Sequence, residues 1–267
     1  MRMLGLAVAV AVPAAAQVNQ TPPELAGVGI DEHFDATVPL DATFRAEDGS
    51  KVELGSFFQR ERPVILTLNY FRCPMLCGLQ LNGLVAGLEQ LDWTPGQEFE
   101  LVTISINPLE TPALAAEKKQ NYLTRYGRPS AATGWHFLTG SEDQIRRVTE
   151  AVGFNYTYDK DTGEFAHAAA LFVLTPDGRI ARYLYGIEYP SKTLRLALLE
   201  AADGKIGSPI DQLILYCCQY DPSSRAYAPV AMNIMRVGGG FTVVFLGGAL
   251  GLLWLRDVRR KHHQQTG

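Results

Sequence analysis

The sequence feature that most constrains this chain is a pair of cysteines that follows an apolar run. Residues 64–70 read VILTLNY, and near-continuous apolar runs are typical of strands buried on both faces of a sheet. Cys73 and Cys77 follow directly. Apolar residues then recur at helical spacing, at Leu81, Leu84, Val85 and Leu88. The pattern predicts a central strand whose carboxyl end leads through the cysteines into an amphipathic helix.

Three further strand patterns accompany this unit. Residues 101–106 (LVTISI) form a second buried run, which predicts a parallel neighbour for the first strand. Residues 169–174 and 180–185 flank the turn sequence PDG, which predicts an antiparallel hairpin. Residues 38–58 predict another hairpin, an N-terminal extension around the turn sequence EDGS.

Three more helices are predicted from their end signals. One spans residues 111–127, with a Thr-Pro start and a glycine end. The second begins at Ser141, which has the spacing of a capping box with Gln144. The third spans residues 191–204. The chain is therefore expected to form an α/β sheet with helices on both faces, and the position of the cysteines makes it thioredoxin-like.

Three kinds of chemistry fit the cysteine pair. Pro74 suits the first helical position, which places Cys73 at the N-cap and Cys77 one turn later on the same side. The partial positive charge and the N–H groups of a helix N-terminus favour thiolate over thiol. A thiolate attacks disulfides and also binds soft metals, so this spacing leaves a structural disulfide, a redox couple and a metal site open.

The amino terminus has the features of a secretory signal peptide. Arg2 supplies a positive charge, residues 4–12 are apolar, and alanines at 14–16 form a small-residue cleavage pattern. We expect cleavage that leaves Gln17 near the mature N-terminus. The alternatives are a membrane anchor, for which the apolar run is too short, and a buried N-terminal helix.

A second apolar segment, residues 237–255, contains no charged residue. As a helix rising about 1.5 Å per residue it would be roughly 28 Å long, close to the thickness of the bilayer core. Basic residues follow it at once, at Arg256, Arg259, Arg260 and Lys261. This charge bias predicts a transmembrane helix with a cytoplasmic C-terminus and the folded domain outside. A buried core helix is the alternative.

The composition of the chain argues against one class of binding partner. The net charge is −4 and no long basic stripe occurs, which argues against nucleic acid. The chain has 4 cysteines in two close pairs, too few for a disulfide scaffold. The second pair, Cys217 and Cys218, is adjacent in sequence and could close a disulfide only with strain. This second pair could be a redox relay, a second metal contact or two cysteines without any site chemistry.

Several segments together resemble the Sco/SenC family of copper-binding, thioredoxin-fold proteins. They are NYFRCPMLCGLQLNGL, ISINPLETP, GWHFLTG and FAHAAALFVLTPDGRIARYLYG, within residues 38–202. The resemblance implies a role in assembling the copper A site of cytochrome c oxidase from outside the membrane. It also implies copper as the bound metal, with Cys73, Cys77 and His167 as its ligands.

The residues around the histidines agree with that implication. His167 precedes the AAALFVL strand, and in a thioredoxin-like sheet the chain before this strand faces the cysteines. Disulfide-handling members of the fold have a proline there, and this chain has none, which favours metal binding over thiol exchange. His136, beside Trp135, is expected to be structural. Tyr158, Asp159 or a backbone carbonyl is expected to hold the second ring nitrogen of His167.

The chain departs from the family pattern at two places. Many members have an Asp inside the cysteine motif, where this chain has Met75 and Leu76. The family sequence DPxxDTP reads NPLETP, with Asn107 for the first Asp. Both changes remove negative charge near the site and bear more on partner docking than on the ligands. Met75 could add a thioether ligand, although methionine more often fills a core.

Three functions follow from these observations. The first is a membrane-tethered copper chaperone whose partner is the copper A subunit of cytochrome c oxidase or another copper protein. The second is a thiol–disulfide reductase that uses Cys73 and Cys77 as a redox pair to keep the target's cysteines reduced. The third, peroxide reduction, requires a Thr and an Arg beside one reactive Cys, and the motif has Arg72 but no matching Thr.

The predicted organisation has six parts. They are a signal peptide (1–16), a loose lead-in (17–36), a thioredoxin-like domain (37–206), a connector (207–236), a transmembrane helix (237–255) and a basic cytoplasmic tail (256–267).

Overall fold

The structure, a computed structural model, describes residues 27–58, 61–73, 76–160 and 162–207, and a few residues between 239 and 254. For residues 76 and 77 it describes the backbone and not the side chains. The strands are β1 (Gly29–Ile30), β2 (Thr43–Arg45), β3 (Lys51–Glu53), β4 (Val64–Asn69), β5 (Glu100–Ser105), β6 (Trp135–Leu138), β7 (Phe154–Asp159), β8 (Glu164–His167), β9 (Ala170–Leu174) and β10 (Ile180–Tyr185). The helices are α1 (Leu76–Glu89), α2 (Pro112–Tyr126), α3 (Glu142–Ala151) and α4 (Ser191–Ala202), with 3₁₀ turns at Leu54–Phe57 and Pro129–Thr133.

A five-stranded sheet in the order β10-β9-β4-β5-β6 forms the centre of the fold. β4, β5 and β6 are parallel, whereas β9 is antiparallel to both β4 and β10. Every residue of β4 and β5 is buried, because both faces of the sheet are covered. The predicted parallel pair and the predicted β9–β10 hairpin are confirmed.

Three helices, α1, α2 and α4, cover one face of the sheet. Their apolar sides pack against sheet residues such as Ile65 and Phe137. The predicted α1 positions are confirmed as core, with exposures of 3% or less, at Leu81, Leu84, Val85 and Leu88. α2 begins after the N-cap Thr111, whose hydroxyl accepts from the N–H of Leu114 at 3.4 Å. Its start and its glycine end are as predicted.

Two glycines let the chain between β10 and α4 approach the backbone of α1 closely. A Cβ added at Gly83 would lie 1.8 Å from the carbonyl oxygen of Ile187. One added at Gly87 would lie 2.1 Å from the carbonyl oxygen of Tyr189. The helix that carries Cys77 is therefore seated directly on this segment.

The other face is covered by α3, the β2–β3 hairpin and β7–β8. Phe44, Ile145 and Phe154 pack there with the sheet residues Leu66 and Phe172. The predicted N-terminal hairpin is confirmed by antiparallel pairing of β2 with β3. Helices do lie on both faces, as predicted, but hairpins cover much of this second face.

A second small sheet, in which β7 lies between β1 and β8, was not predicted from the sequence. The alternating aromatic residues of β7 (FNYTYD), followed by turn residues, are the signal that could have revealed it. β1 lies in the segment that the sequence predicts to be a loose lead-in. The described part of that segment differs from the prediction, since Asp31 donates its N–H to Gly153 at 2.8 Å and Asp35 donates to Ile180 at 3.0 Å.

The capping box predicted at the start of α3 is wrong. Ser141 is the N-cap residue, but its side chain makes no capping hydrogen bond. The side-chain oxygen of Gln144 instead accepts from the backbone N–H of Thr43 at 2.9 Å. A tertiary contact with the β2–β3 hairpin thus replaces the local one, while Glu142 and Asp143 in the first turn still favour a helix start there.

Most of the predicted terminal features fall outside the described residues, including the connector (207–236), apart from residue 207, and the basic tail (256–267). The signal peptide (1–16) lies wholly outside them, as do Cys217 and Cys218. The few described residues of 237–255 are helical. Within the described part of the chain, no helix has the length and apolar character to span a membrane. The transmembrane helix stays a prediction.

Candidate metal centre

Cys73 lies in a turn just beyond the carboxyl end of β4. Its N–H donates to the carbonyl of Tyr70 at 3.2 Å, and its side chain is partly buried against the cluster on the second face of the sheet. The described part of α1 begins at Leu76, which places Cys77 in the first turn of the helix. The predicted helix start at Pro74, Met75 and the side chain of Cys77 lie outside the described part of the chain.

The carboxylate of Glu110 holds the backbone that precedes Cys73. It accepts from the N–H of Phe71 at 2.7 Å and from the N–H of Arg72 at 2.8 Å. The hydroxyl of Ser105, the last residue of β5, donates to it at 2.6 Å. Glu110 is only 8% exposed, and its bonds with Phe71 and Ser105 are buried.

His167 is the last residue of β8 and is 7% exposed. The sequence places it at the entry of the AAALFVL strand, and the structure places it in a separate strand where it pairs with Tyr156. Its Nδ1 lies 2.8 Å from the carbonyl oxygen of Ala168. A carbonyl can only accept, so Nδ1 is the donor, and in the neutral imidazole the lone pair is then on Nε2. A backbone carbonyl, rather than Tyr158 or Asp159, therefore orients the ring.

Aromatic residues connect His167 with the cysteine turn. The ring of Tyr70 meets the imidazole edge to face, with centroids 6.0 Å apart, while the Tyr70 carbonyl accepts from Cys73. Phe154 packs on the same imidazole at 5.8 Å. Burial raises the pKa of the neighbouring Tyr156 phenol, with a further rise from Glu142, so this side chain stays neutral. The imidazole thus lies in an apolar wall next to the cysteine turn.

Gln80 anchors the cysteine helix to the sheet. Its side-chain oxygen accepts from the amide of Asn69 at 2.8 Å, and its side-chain nitrogen donates to the carbonyl of Ala170 at 2.7 Å. Gln80 and Asn69 are both fully buried. The bonds tie the helix of Cys77 to the end of β4 and to the strand that follows His167.

The remaining histidine of interest, His136, lies near the amino end of β6, whereas Cys73 follows the carboxyl end of the parallel strand β4. Its Nε2 is 3.5 Å from a Glu100 carboxylate oxygen, and its ring packs against Phe57 with centroids 4.4 Å apart. Both contacts are of the structural kind expected for it.

Among the side chains that the structure describes, no group of three or more His, Cys, Asp or Glu could hold a metal ion. The predicted ligand set needs the side chain of Cys77, which is not among them. Cys73 and His167 are the two predicted ligands that the described residues bring to one region, through Tyr70.

Two buried polar residues at this site, Gln80 and Glu110, were not predicted from the sequence. A glutamine among the apolar positions of an amphipathic helix is a usable signal, because a buried amide requires partners. Glu110 stands directly before Thr111 and Pro112, where the family sequence DPxxDTP has its second Asp, and that match is the signal for it. Its hydrogen bonds to the cysteine turn are visible only in the structure.

Comparison with known proteins assigns the chain to a family. A family model described as SCO1/SenC matches residues 36–198, more than half of the chain. This chain belongs to the SCO1/SenC family. The match covers Cys73, Cys77 and His167, together with Gln80 and Glu110. No curated protein sequence matches the chain.

Solved structures share the fold. A candidate electron transfer protein from Aquifex aeolicus VF5 has 24% identity and a TM-score of 0.56, with 65% of this chain and 96% of that one covered. A SCO1/SenC family lipoprotein from Bacillus anthracis str. Ames has 14% identity and a TM-score of 0.51, with 65% and 99% covered. Arabidopsis thaliana ScoI with copper bound has 19% identity and a TM-score of 0.49, with 64% and 99% covered. The first two establish the mixed α/β, thioredoxin-like fold of the SCO1/SenC chain.

Proposed function

We propose that this SCO1/SenC chain is a membrane-tethered copper chaperone that helps to assemble the copper A site of cytochrome c oxidase. Copper is its cargo, held by Cys73, Cys77 and His167. The observation that carries the proposal is the setting of His167, a buried imidazole whose Nδ1 is held by the Ala168 carbonyl beside the turn of Cys73. An imidazole fixed in this way presents Nε2 as a metal ligand.

The chemistry of the donor set favours copper over harder metals. Thiolates are soft ligands that select Cu(I), and an imidazole nitrogen suits Cu(II) as well. The position of Cys77 in the first turn of α1 favours its thiolate form, because the helix N-terminus is partly positive. The SCO1/SenC family match adds support, and a solved relative carries copper.

A thiol–disulfide reductase is the second candidate, favoured by the access to Cys73. The residue is partly exposed. A sulfur that attacks a disulfide has to be accessible to its partner. A reductase would keep the cysteines of the copper-accepting protein reduced, and the same two cysteines would serve either function.

We expect oxidation of Cys73 and Cys77 to a disulfide to abolish copper binding, because metal binding requires free thiolates. The full-length chain in detergent would be titrated with copper in the reduced state, after oxidation and after re-reduction. Binding should disappear on oxidation and return on reduction. Equal binding by the oxidised protein would contradict the proposed ligands and direct attention to Cys217 and Cys218.

The proposed location is the cell membrane, with the folded domain on the periplasmic or extracytoplasmic side. Its support is the sequence alone: the alanine cleavage pattern at 14–16, the uncharged segment 237–255 and the basic tail 256–267. Protease added outside spheroplasts should digest the domain and leave a small membrane fragment with the C-terminus. Cleavage of a C-terminal tag in intact spheroplasts would contradict this topology.

A further inference from the structure

We propose that Glu110 is a positioning residue of the copper site, which fixes the backbone of the cysteine turn in the geometry that the metal requires. The inference rests on the proposed copper-binding function and concerns a residue outside the proposed ligand set. It begins from the three hydrogen bonds that the Glu110 carboxylate accepts, from Phe71, Arg72 and Ser105.

The backbone N–H groups of residues 71–73 donate to two different acceptors. Those of Phe71 and Arg72 donate to the two different oxygens of Glu110, at 2.7 and 2.8 Å. That of Cys73 closes the turn onto Tyr70 at 3.2 Å. The path of the chain from β4 to Cys73 is therefore set by a side chain from the β5–α2 loop.

The site is built to hold a carboxylate. All three contacting groups donate, and an ionised carboxylate has only acceptors, so each donor is satisfied. A glutamine of the same size would turn an N–H donor toward one of these N–H groups and leave it without an acceptor. Hydrogen bonds to a buried charged group are also stronger than neutral ones.

The loop that presents Glu110 is itself ordered by local bonds. The Asn107 side-chain oxygen accepts from the N–H of Leu109 at 3.0 Å, and the Asn107 N–H donates to the Ser105 hydroxyl at 3.1 Å. The same hydroxyl donates to Glu110, which joins the end of β5, the loop and the cysteine turn in one unit. Metal ligands require this kind of support, because small displacements of a ligand weaken binding.

The test compares Glu110→Gln with Glu110→Asp in the full-length chain in detergent. Glu110→Gln should speed copper dissociation by about 10- to 100-fold, the usual range for loss of a residue that supports a ligand. Glu110→Asp keeps the charge and both oxygens and should restore much of the retention. Glu98→Gln is the matched control, since Glu98 also accepts a backbone N–H, from Thr94 at 2.8 Å, in another loop.

A second measurement uses the metal-free protein. Amide hydrogen exchange at Phe71 and Arg72 should accelerate in Glu110→Gln and stay unchanged in Glu98→Gln. Should Glu110→Gln fail to fold, Ser105→Ala serves in its place, because it removes one bond to the carboxylate and should speed copper dissociation by a smaller factor.

The outcomes distinguish a failure of the proposed copper-binding function from a failure of the role proposed for Glu110. If the wild-type chain takes up no copper, the proposed function fails and the role of Glu110 fails with it. If the wild type binds copper and a folded Glu110→Gln protein retains it equally well, only the role of Glu110 is overturned. Faster amide exchange with unchanged copper dissociation would also overturn it, because the carboxylate would then be merely structural.

Discussion

Replacement of His167 by alanine is expected to remove the visible sulfur-to-copper charge-transfer band of the Cu(II) protein. Two thiolates can hold Cu(I), but a stable Cu(II) form needs a harder nitrogen ligand as well. The proposed nitrogen ligand is His167, whose Nδ1 is hydrogen-bonded to the Ala168 carbonyl. Copper affinity should fall by more than the roughly 10- to 100-fold that loss of a supporting residue costs.

The same variant separates the two candidate functions. A thiol–disulfide reductase depends on its cysteines and needs little from a buried imidazole, so His167→Ala should keep the fold and any disulfide-exchange activity. His136→Ala is the matched control. That side chain contacts Glu100 and Phe57, and its loss should leave the band intact. An unaltered Cu(II) spectrum in His167→Ala would remove His167 from the site and favour the reductase.

Gly83→Ala is expected to lower the free energy of unfolding by about 1–3 kcal/mol, the usual cost of overpacking a well-packed core. The new Cβ would lie 1.8 Å from the Ile187 carbonyl oxygen and 2.9 Å from its carbon, and both are backbone atoms that cannot rotate away. The clash should outweigh the gain in helix propensity, which is about 1 kcal/mol.

Gly78→Ala in the same helix provides a control with the opposite sign. An added Cβ there meets nothing within 4 Å, so the substitution should raise stability by about 0.5–1 kcal/mol through helix propensity alone. Urea unfolding followed by circular dichroism would measure both variants. Equal stabilisation by the two alanines would contradict the close approach of residues 187–189 to α1.

The sequence alone determined the elements whose signal is local. The apolar run of β4 requires burial on both faces, and the spacing of Leu81, Leu84, Val85 and Leu88 allows only one buried side of α1. Thr111 and Gly127 mark the ends of α2 by chemistry that acts within one helical turn. The cysteine pair predicted the fold class because it directly follows β4 and directly precedes α1, which is also a local pattern.

Tertiary structure decided how distant polar groups are paired. Gln144 has the sequence position for a capping box, yet a hydrogen bond to Thr43 on another element uses its oxygen. Tertiary structure also brings the imidazole of His167 against the ring of Tyr70, which lies far from it along the chain.

Gln80 and Glu110 show the same limit most clearly. Their partners include Ala170 and the N–H groups of Phe71 and Arg72, which lie far from them along the chain. A short-range pattern reports which face of an element is apolar. Such a pattern does not predict which buried donor is hydrogen-bonded to which acceptor, because that pairing is set only when the sheet brings separate segments together.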